Sequence, residues 1–420
     1  MKKKLLIILY TFPPFPGIGG RRWAKFAKYL AAKEYDVHVI CCENVFPEQS
    51  LWTKDVQHKN IKTYPLPVKY PAVMLHGAKS MMDKLSYRLW KMRFSFSSKG
   101  VLFDRTMFWE EQLMAKASAI IESEKIDNVI VSIPPYRLAT YSIALKKKYP
   151  NINLVVDYRD PWADNKSYHG FKDLSSDRLK HEQQLEEDVL NKADKVITVS
   201  DKMTEMLKAR STNPNKISTI LNGFDPADIL PAENKRQATS ERKIRFIYAG
   251  TLYSNLEYIA DPLFAYINKL KKENSALYNR ISFEFYGSHN AELVNKINSL
   301  NDKAISVHPS MPLDKIQEVL RAGDFCVLMS APDHTFAFNT KFCEYLANRK
   351  PILLFAYPGE TADFIRHNKL GFVINPNTLD ENMNTFFADI QNVLSSYNSQ
   401  YNLEPFSIPA LTSEIEKLLK

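Results

Sequence analysis

A chain of 420 residues exceeds what one hydrophobic core ordinarily supports, so two domains are the first expectation. Hydrophobic residues at 45% and charged residues at 25% exclude a disordered chain, and four cysteines without metal-ligand spacing (Cys41, Cys42, Cys326, Cys343) exclude a disulfide framework and fit a reducing cytoplasm. The formal charge of +9 is local: residues 1–110 carry 19 basic and 8 acidic side chains, +11, which leaves −2 for the other 310 residues.

Three lysines precede the apolar run Leu5 to Tyr10 and imitate a signal peptide. The run is too short, and Thr-Phe-Pro-Pro follows it in place of a small-residue cleavage site, so it reads as a buried first strand. No apolar run approaches 18 residues, so no spanning helix is expected. Further β-branched runs lie at 37–41, 128–131, 154–157, 196–199 and 217–221. Helical patterns at 21–33, 110–124, 138–148 and 177–191 separate several of them. This β-α-β alternation predicts an α/β protein with parallel strands covered on both faces. Residues 226–243 are polar, without apolar periodicity, and read as a linker. The alternation then restarts, with strands at 244–249, 281–286, 305–308, 325–329, 352–355 and 371–374. Helices are expected at 257–273, 291–300, 313–322, 340–348 and 380–395, and a last one near 409–419. The expected division is therefore 1–225, a linker at 226–243, a second doubly wound domain at 244–395 and a terminal segment at 396–420.

The basic excess is densest at 79–105. Met81, Met82, Leu85, Leu89, Met92 and Phe96 recur at helical spacing among Lys84, Arg88 and Lys91, with Tyr87, Trp90 and Phe94 adding aromatic bulk. An interfacial helix on an anionic membrane has this pattern, and Arg88, Trp90, Lys91 and Phe94 are its candidate contacts. A core helix with a solvated basic face has it too. No nucleic-acid-binding motif accompanies the patch, so nucleic acid is not an expected partner.

Only 12 residues are glycine, about half the usual usage, so clustered glycines are informative. Gly17, Gly19 and Gly20 follow the first strand and precede a helix that opens with Arg21 and Arg22. Such a turn lets the backbone approach an anion at a helix N-terminus, or simply makes a tight turn. It is neither a dinucleotide fingerprint, because Arg22 stands at the third glycine, nor a P-loop, because Gly-Lys-Ser/Thr is absent. Gly250, followed by Thr251, and Gly287 each end a predicted strand in the second half. Further on, Asn339 can cap a helix whose first turn holds Thr340 and Lys341, a setting for phosphates. Glu344 lies one turn later, where a carboxylate can accept from a ribose diol or pair on an exposed helix face.

These motifs occur in a characteristic order: the Gly-Gly loop, Asp157-x-Arg159-Asp160-Pro161-Trp162, Val199-Ser200, Asn222-Gly223-Phe224-Asp225, Ala249-Gly250-Thr251-Leu252 and Lys341-x-x-Glu344-Tyr-Leu-Ala. That order resembles the glycosyltransferase group 1 family, family 4-like and of GT-B fold, in a divergent bacterial surface-polysaccharide subgroup, over nearly the whole chain. The resemblance implies two Rossmann-like domains facing a cleft. The nucleotide sugar would sit mainly on the second domain and the acceptor mainly on the first, with the last helix packing back on the first. It also implies peripheral membrane attachment, a retaining reaction and no metal or other cofactor. The sequence departs from the pattern at two places. The first acid of the usual Glu-x7-Glu falls on Phe336, and the usual Gly-Arg-Leu reads Gly250-Thr251-Leu252, with no lysine in the residues that follow. Arg21, Arg22, Arg159 and Lys341 are the candidates to neutralise the diphosphate in place of that arginine. The departures fit either a subgroup with a different sugar contact or a chain that has lost activity.

The expected function is transfer of a sugar from a nucleotide diphosphate to a lipid-linked or growing surface glycan (capsule, O-antigen or exopolysaccharide), on the inner face of the plasma membrane. The amides of the Gly19-Gly20 loop and the Thr340 turn would stabilise the departing phosphate. Asp160 and Arg159 would orient hydroxyls at the end of a strand, with Asp160 the base if the reaction inverts. A structural ion pair beside Pro161 and Trp162 is the alternative for these two. No two aspartates stand two positions apart, so the Asp-x-Asp metal site of the other transferase fold is not expected. The rival functions are an epimerase or phosphorylase of the same fold, and a catalytically silent partner in a polysaccharide assembly complex.

Overall fold

The computed structural model describes residues 3–101, 103–165, 171, 174–230, 243–252, 256–287, 289, 291–332 and 338–420. The chain divides into two units, Met1–Leu221 with Ile408–Lys420, and Asn222–Ser407.

In the first unit the apolar runs form β1 (Lys4–Ile8), β2 (Asp36–Cys42), β3 (Ile61–Leu66), β4 (Asn128–Ile133), β5 (Asn153–Tyr158), β6 (Lys195–Thr198) and β7 (Ile217–Thr219). All pair in parallel, in the order β3-β2-β1-β4-β5-β6-β7. Every residue of β4 and β5 is buried, as expected where helices cover both faces of a sheet. The edge strand β3 is the one strand of this sheet absent from the sequence reading. It contains Pro65, and only Leu66 of its six residues is buried, as fits a sheet edge.

The second unit repeats the plan with β8 (Ile244–Ala249), β9 (Ile281–Tyr286), β10 (Ile305–His308), β11 (Phe325–Met329), β12 (Ile352–Phe355) and β13 (Gly371–Ile374), ordered β10-β9-β8-β11-β12-β13 and again all parallel. Its core stacks Phe246 on Phe283 and Phe325, with Phe386 and Phe387 meeting Phe246 edge-on. The fold is α/β, two Rossmann-like doubly wound units. In each sheet the strand order reverses beside the first strand, between β1 and β4 and between β8 and β11. Ligands of open parallel sheets bind outside the carboxyl ends of strands at such points.

The last helix, Ile408–Leu418, belongs to the first unit. It buries Ile408, Leu411 and Ile415 in the core that also contains Trp23, Phe26 and Leu30, at about 1.5–3 kcal/mol per side chain. Its Leu418 carbonyl accepts from Asn153 Nδ2 and Lys195 Nζ, both at 2.8 Å. Residues 222–225 and 396–407 group with the second unit. There the Phe224 N–H donates to the Phe406 carbonyl at 2.9 Å and Phe224 bridges Ser407. The boundary thus lies at Leu221/Asn222, and the return to the first unit begins at Ile408.

Candidate active site

At the first switch point the glycine turn follows β1 and leads into helix Arg21–Ala32. Arg159, at the end of β5, reaches into this crevice. Its Nη1 donates to the Gly19 carbonyl, its Nη2 to the Pro134 carbonyl and its Nε to the Ile133 carbonyl at 3.2 Å. The guanidinium therefore braces the ends of β1, β4 and β5. Arg21 and Arg22 turn inward and are almost fully buried. Arg22 donates to the carbonyls of Leu221 (2.7 Å) and Ile220 (2.8 Å) and lies 3.2 Å from the buried Asp157 carboxylate. Asp157 also accepts from Trp23 Nε1 at 2.7 Å and from Ser132 Oγ at 2.8 Å. Two of the cations expected on the diphosphate, Arg22 and Arg159, thus hold protein groups.

Asp160 is half-buried at the mouth of β5. The loop after it is fixed from below. Trp162 stacks on Tyr136, and the Tyr136 hydroxyl donates to the Pro161 carbonyl at 2.6 Å. Trp162 Nε1 donates to Glu182 Oε2 at 2.7 Å. Glu186 accepts from Arg210 at 2.8 Å, and burial pushes its carboxyl up to about 7 against the pull of that guanidinium.

In the second unit β8 and β11 pair only at Phe246/Phe325 and Ile247/Cys326, and then part. Gly250 and Gly287 follow β8 and β9, on the β9 side of this opening, with φ of +142° and +157°. A Cβ on Gly287 would stand 2.3 Å from the Gly250 carbonyl oxygen, so only glycine lets the two turns nest. Lys341 comes in from the helix Thr340–Ala347. Its Nζ lies over the Tyr248 ring, 4.6 Å from the centroid, and donates to the Tyr248 hydroxyl at 3.0 Å. Asn339 caps this helix through Oδ1, which accepts from the Phe342 N–H at 2.8 Å. Thr340 and Lys341 occupy the first turn and Glu344, half-buried, the next. The structure thus brings Gly250, Thr251, Gly287, Asn339, Thr340, Lys341 and Glu344 to one sheet end. Phe336 lies outside the described residues.

The Met81–Ser97 helix begins in a capping box formed by Ser80 and Asp83. Its apolar stripe is exposed: Met81, Met82, Leu85, Leu89, Met92 and Phe96 are six of the twelve exposed large hydrophobic side chains among the described residues. Arg88 and Lys91 are exposed beside them, and Trp90 is half-buried. Phe94 does not share that face. Its ring is fully buried against Tyr70, Trp90 and Phe108, so it anchors the helix to the unit.

Residues 101–228 match the model of Glycosyltransferase Family 4. No curated protein matches the sequence. The chain is similar in structure to sucrose-phosphate synthase from Thermosynechococcus elongatus (TM-score 0.68, 12% identity, 99% of this chain and 98% of that one). It is also similar to HepE from Anabaena in complex with UDP (0.64, 13%, 99% and 99%) and to WaaG, a glycosyltransferase involved in lipopolysaccharide biosynthesis (0.61, 14%, 99% and 99%). The fold is GT-B, and residues 101–228 carry a glycosyltransferase domain.

Two residues of the second unit escaped the sequence reading. The buried Tyr345 hydroxyl accepts from the Ala249 N–H at 2.9 Å and so ties the Lys341 helix to the end of β8. His289 Nδ1 accepts from the Leu252 N–H at 3.2 Å and holds the far side of the Gly250 turn. Burial, with Lys341 adding to it, lowers the His289 pKa below its ordinary 6.5. Tyr345 stands inside the quoted Glu-Tyr-Leu-Ala motif and His289 two residues after Gly287, so position relative to the glycine turns was the available signal.

Proposed function

We propose that this protein is a glycosyltransferase that moves a sugar from a nucleoside diphosphate to a hydroxyl of a lipid-linked or growing bacterial surface glycan, at the inner face of the plasma membrane. The observation that carries the donor assignment is the nested Gly250–Gly287 pair against Lys341 at the ends of β8 and β9. Backbone without side chains, a helix N-terminus and an ammonium meet there, and each favours a diphosphate. Glu344, one turn into the helix, accepts from the ribose hydroxyls. The solved HepE complexes with UDP and UDP-glucose support a uridine nucleotide as the first to try.

The acceptor binds the first unit, with its hydroxyl oriented by Asp160. In transfer, the bond from the anomeric carbon to the phosphate oxygen breaks, the acceptor oxygen bonds that carbon, and the departing phosphate takes the acceptor proton. This retaining course needs no protein base. Lys341 and the first-turn amides stabilise the charge on the leaving diphosphate without a metal, in keeping with the missing Asp-x-Asp. The exposed stripe of Met81–Ser97, rimmed by Lys84, Arg88, Lys91 and Arg93, docks on an anionic bilayer and places the acceptor site beside lipid-linked glycans. Similarity of fold to a lipopolysaccharide glycosyltransferase supports the same setting.

The test is a panel of UDP-, GDP-, dTDP- and ADP-linked sugars read by thermal shift, followed by calorimetry of the best ligand on wild type and Glu344→Ala. One nucleotide should raise the melting temperature, and Glu344→Ala should weaken it about tenfold or more. Absence of any stabilisation refutes the donor reading, and unchanged affinity in the variant refutes the ribose assignment alone.

A further inference from the structure

Helix Ser176–Lys192 presents one row of charged side chains, Arg178, Glu182 and Glu186, spaced four residues apart and therefore stacked on one face. The row touches two parts of the first unit that are distant in sequence. At its start, Arg178 donates to the carbonyls of Ser98 (2.7 Å), Gly100 (2.8 Å) and Ser95 (2.5 Å), the exit of the amphipathic helix. At its far end, Glu186 accepts from the Ala163 N–H at 3.4 Å, three residues past Asp160. Glu182 stands between and is 2% exposed. Its carboxylate is divided: Oε1 accepts from the Val101 N–H and Oε2 from Trp162 Nε1, each at 2.7 Å.

That geometry depends on Gly100. A Cβ there would lie 1.8 Å from Glu182 Oε1, and Arg137 stands close by, 3.6 Å from the same oxygen. In a chain with 12 glycines, one is placed where any side chain would push the carboxylate off its two donors. The two oxygens are rigidly joined, so a displacement of Val101 reaches Trp162 unless one charge-assisted bond breaks, and buried bonds of this kind are strong.

We propose that Glu182 is a positioning residue that couples the bilayer-facing helix to the Asp160 loop, so that engagement of an anionic membrane by Met81–Ser97 sets the loop of the acceptor site. The inference rests on the membrane reading above, and the two are separated by following each segment by itself.

The experiment is hydrogen–deuterium exchange of the full chain, with and without vesicles of phosphatidylglycerol and phosphatidylcholine. In wild type, amides of residues 81–97 should slow roughly tenfold on vesicles, and those of 158–164 should change with them. In Glu182→Gln the side-chain oxygen can accept from only one of the two N–H groups, and its NH2 faces the other. Residues 81–97 should still be protected on vesicles, while the response at 158–164 disappears. Gly100→Ala, which touches neither the exposed stripe nor Asp160, should give the same pattern and carries the test if Glu182→Gln does not fold. A vesicle response at 158–164 that survives in both variants overturns the coupling. So does protection of 81–97 in wild type with no response at 158–164. No protection of 81–97 in wild type overturns the membrane reading itself, and the coupling falls with it.

Discussion

At the opening between β1 and β4 the basic side chains turn into the protein. Arg22 meets Asp157 and two carbonyls, and Arg159 meets three more. At the topologically equivalent opening between β8 and β11, Lys341 lies against a neutral phenol, beside two turns that admit no side chain. One plan thus serves opposite electrostatic ends. A guanidinium facing a buried carboxylate is neutralised within the unit and stiffens it. An ammonium over Tyr248 brings a positive charge to the mouth of the sheet. The first arrangement suits a scaffold for a neutral glycan hydroxyl and the second a seat for an anion.

The largest expected effect tests the closed half. Asp157→Ala removes the buried carboxylate 3.2 Å from the Arg22 guanidinium and the acceptor for Trp23 Nε1. The loss in a urea melt should be about 3–5 kcal/mol. A loss below about 1 kcal/mol would show that the pair is not what holds the β1/β4 opening. The next effect tests the open half. Lys341→Met should weaken nucleoside diphosphate binding by about 1.5–3 kcal/mol, about tenfold to 150-fold in titration calorimetry, while stability changes little. If Arg159→Met costs more affinity than Lys341→Met, the contrast between the two openings is wrong.

Much of this was legible in the sequence, and the part that was not has a common physical origin. All six strands of the second unit fall on the expected residues, because apolar runs bounded by polar residues are local signals. Asn339 as a helix cap and the paired strand-end glycines were legible for the same reason. The fates of Arg22 and Arg159 were not. Arg22 finds its carbonyls 198 and 199 residues away, and no local pattern distinguishes a cation that faces a ligand from one that faces a carbonyl. The amphipathic helix shows the limit differently. Its periodicity was plain, but whether the stripe faces core or solvent depends on neighbours, and only the exposure of Met81 and Phe96, at 81% and 86%, answers that.

The exposed helix sharpens the comparison on a third surface, where among the described residues the cations are neither closed by carboxylates nor seated on a phenol. Arg88→Ala with Lys91→Ala should remove about 1 kcal/mol of anionic-surface attraction per residue, about thirtyfold in vesicle partition together. Both side chains are exposed, so the melting temperature should hold. Equal co-sedimentation of wild type and variant on anionic vesicles would leave the stripe without its proposed occupant.

The smallest effect concerns protons, and it sets the two units against each other. His289 accepts from the Leu252 N–H only while Nδ1 is bare, and burial holds its pKa below 6.5. The unfolded chain therefore takes this proton first as pH falls. The His289 contribution is complete above 6.5 and is lost as pH drops from there through the folded value. Glu186 runs the other way. Its carboxyl is raised from the ordinary 4.5 to about 7 by burial, so the folded state binds the proton more tightly. Its contribution is complete below 4.5 and is lost as pH rises through 7. Urea melts of the whole chain isolate each as wild type minus variant. Against His289→Gln, whose oxygen can accept from Leu252 without titrating, the difference should grow as pH rises toward 6.5. Against Glu186→Gln it should shrink between pH 4.5 and 7. Slopes of the same sign would mean that the Gly250 turn is not held by a neutral imidazole, and the seat for the anion would then have to be preorganised by Tyr345 and the nested glycines alone.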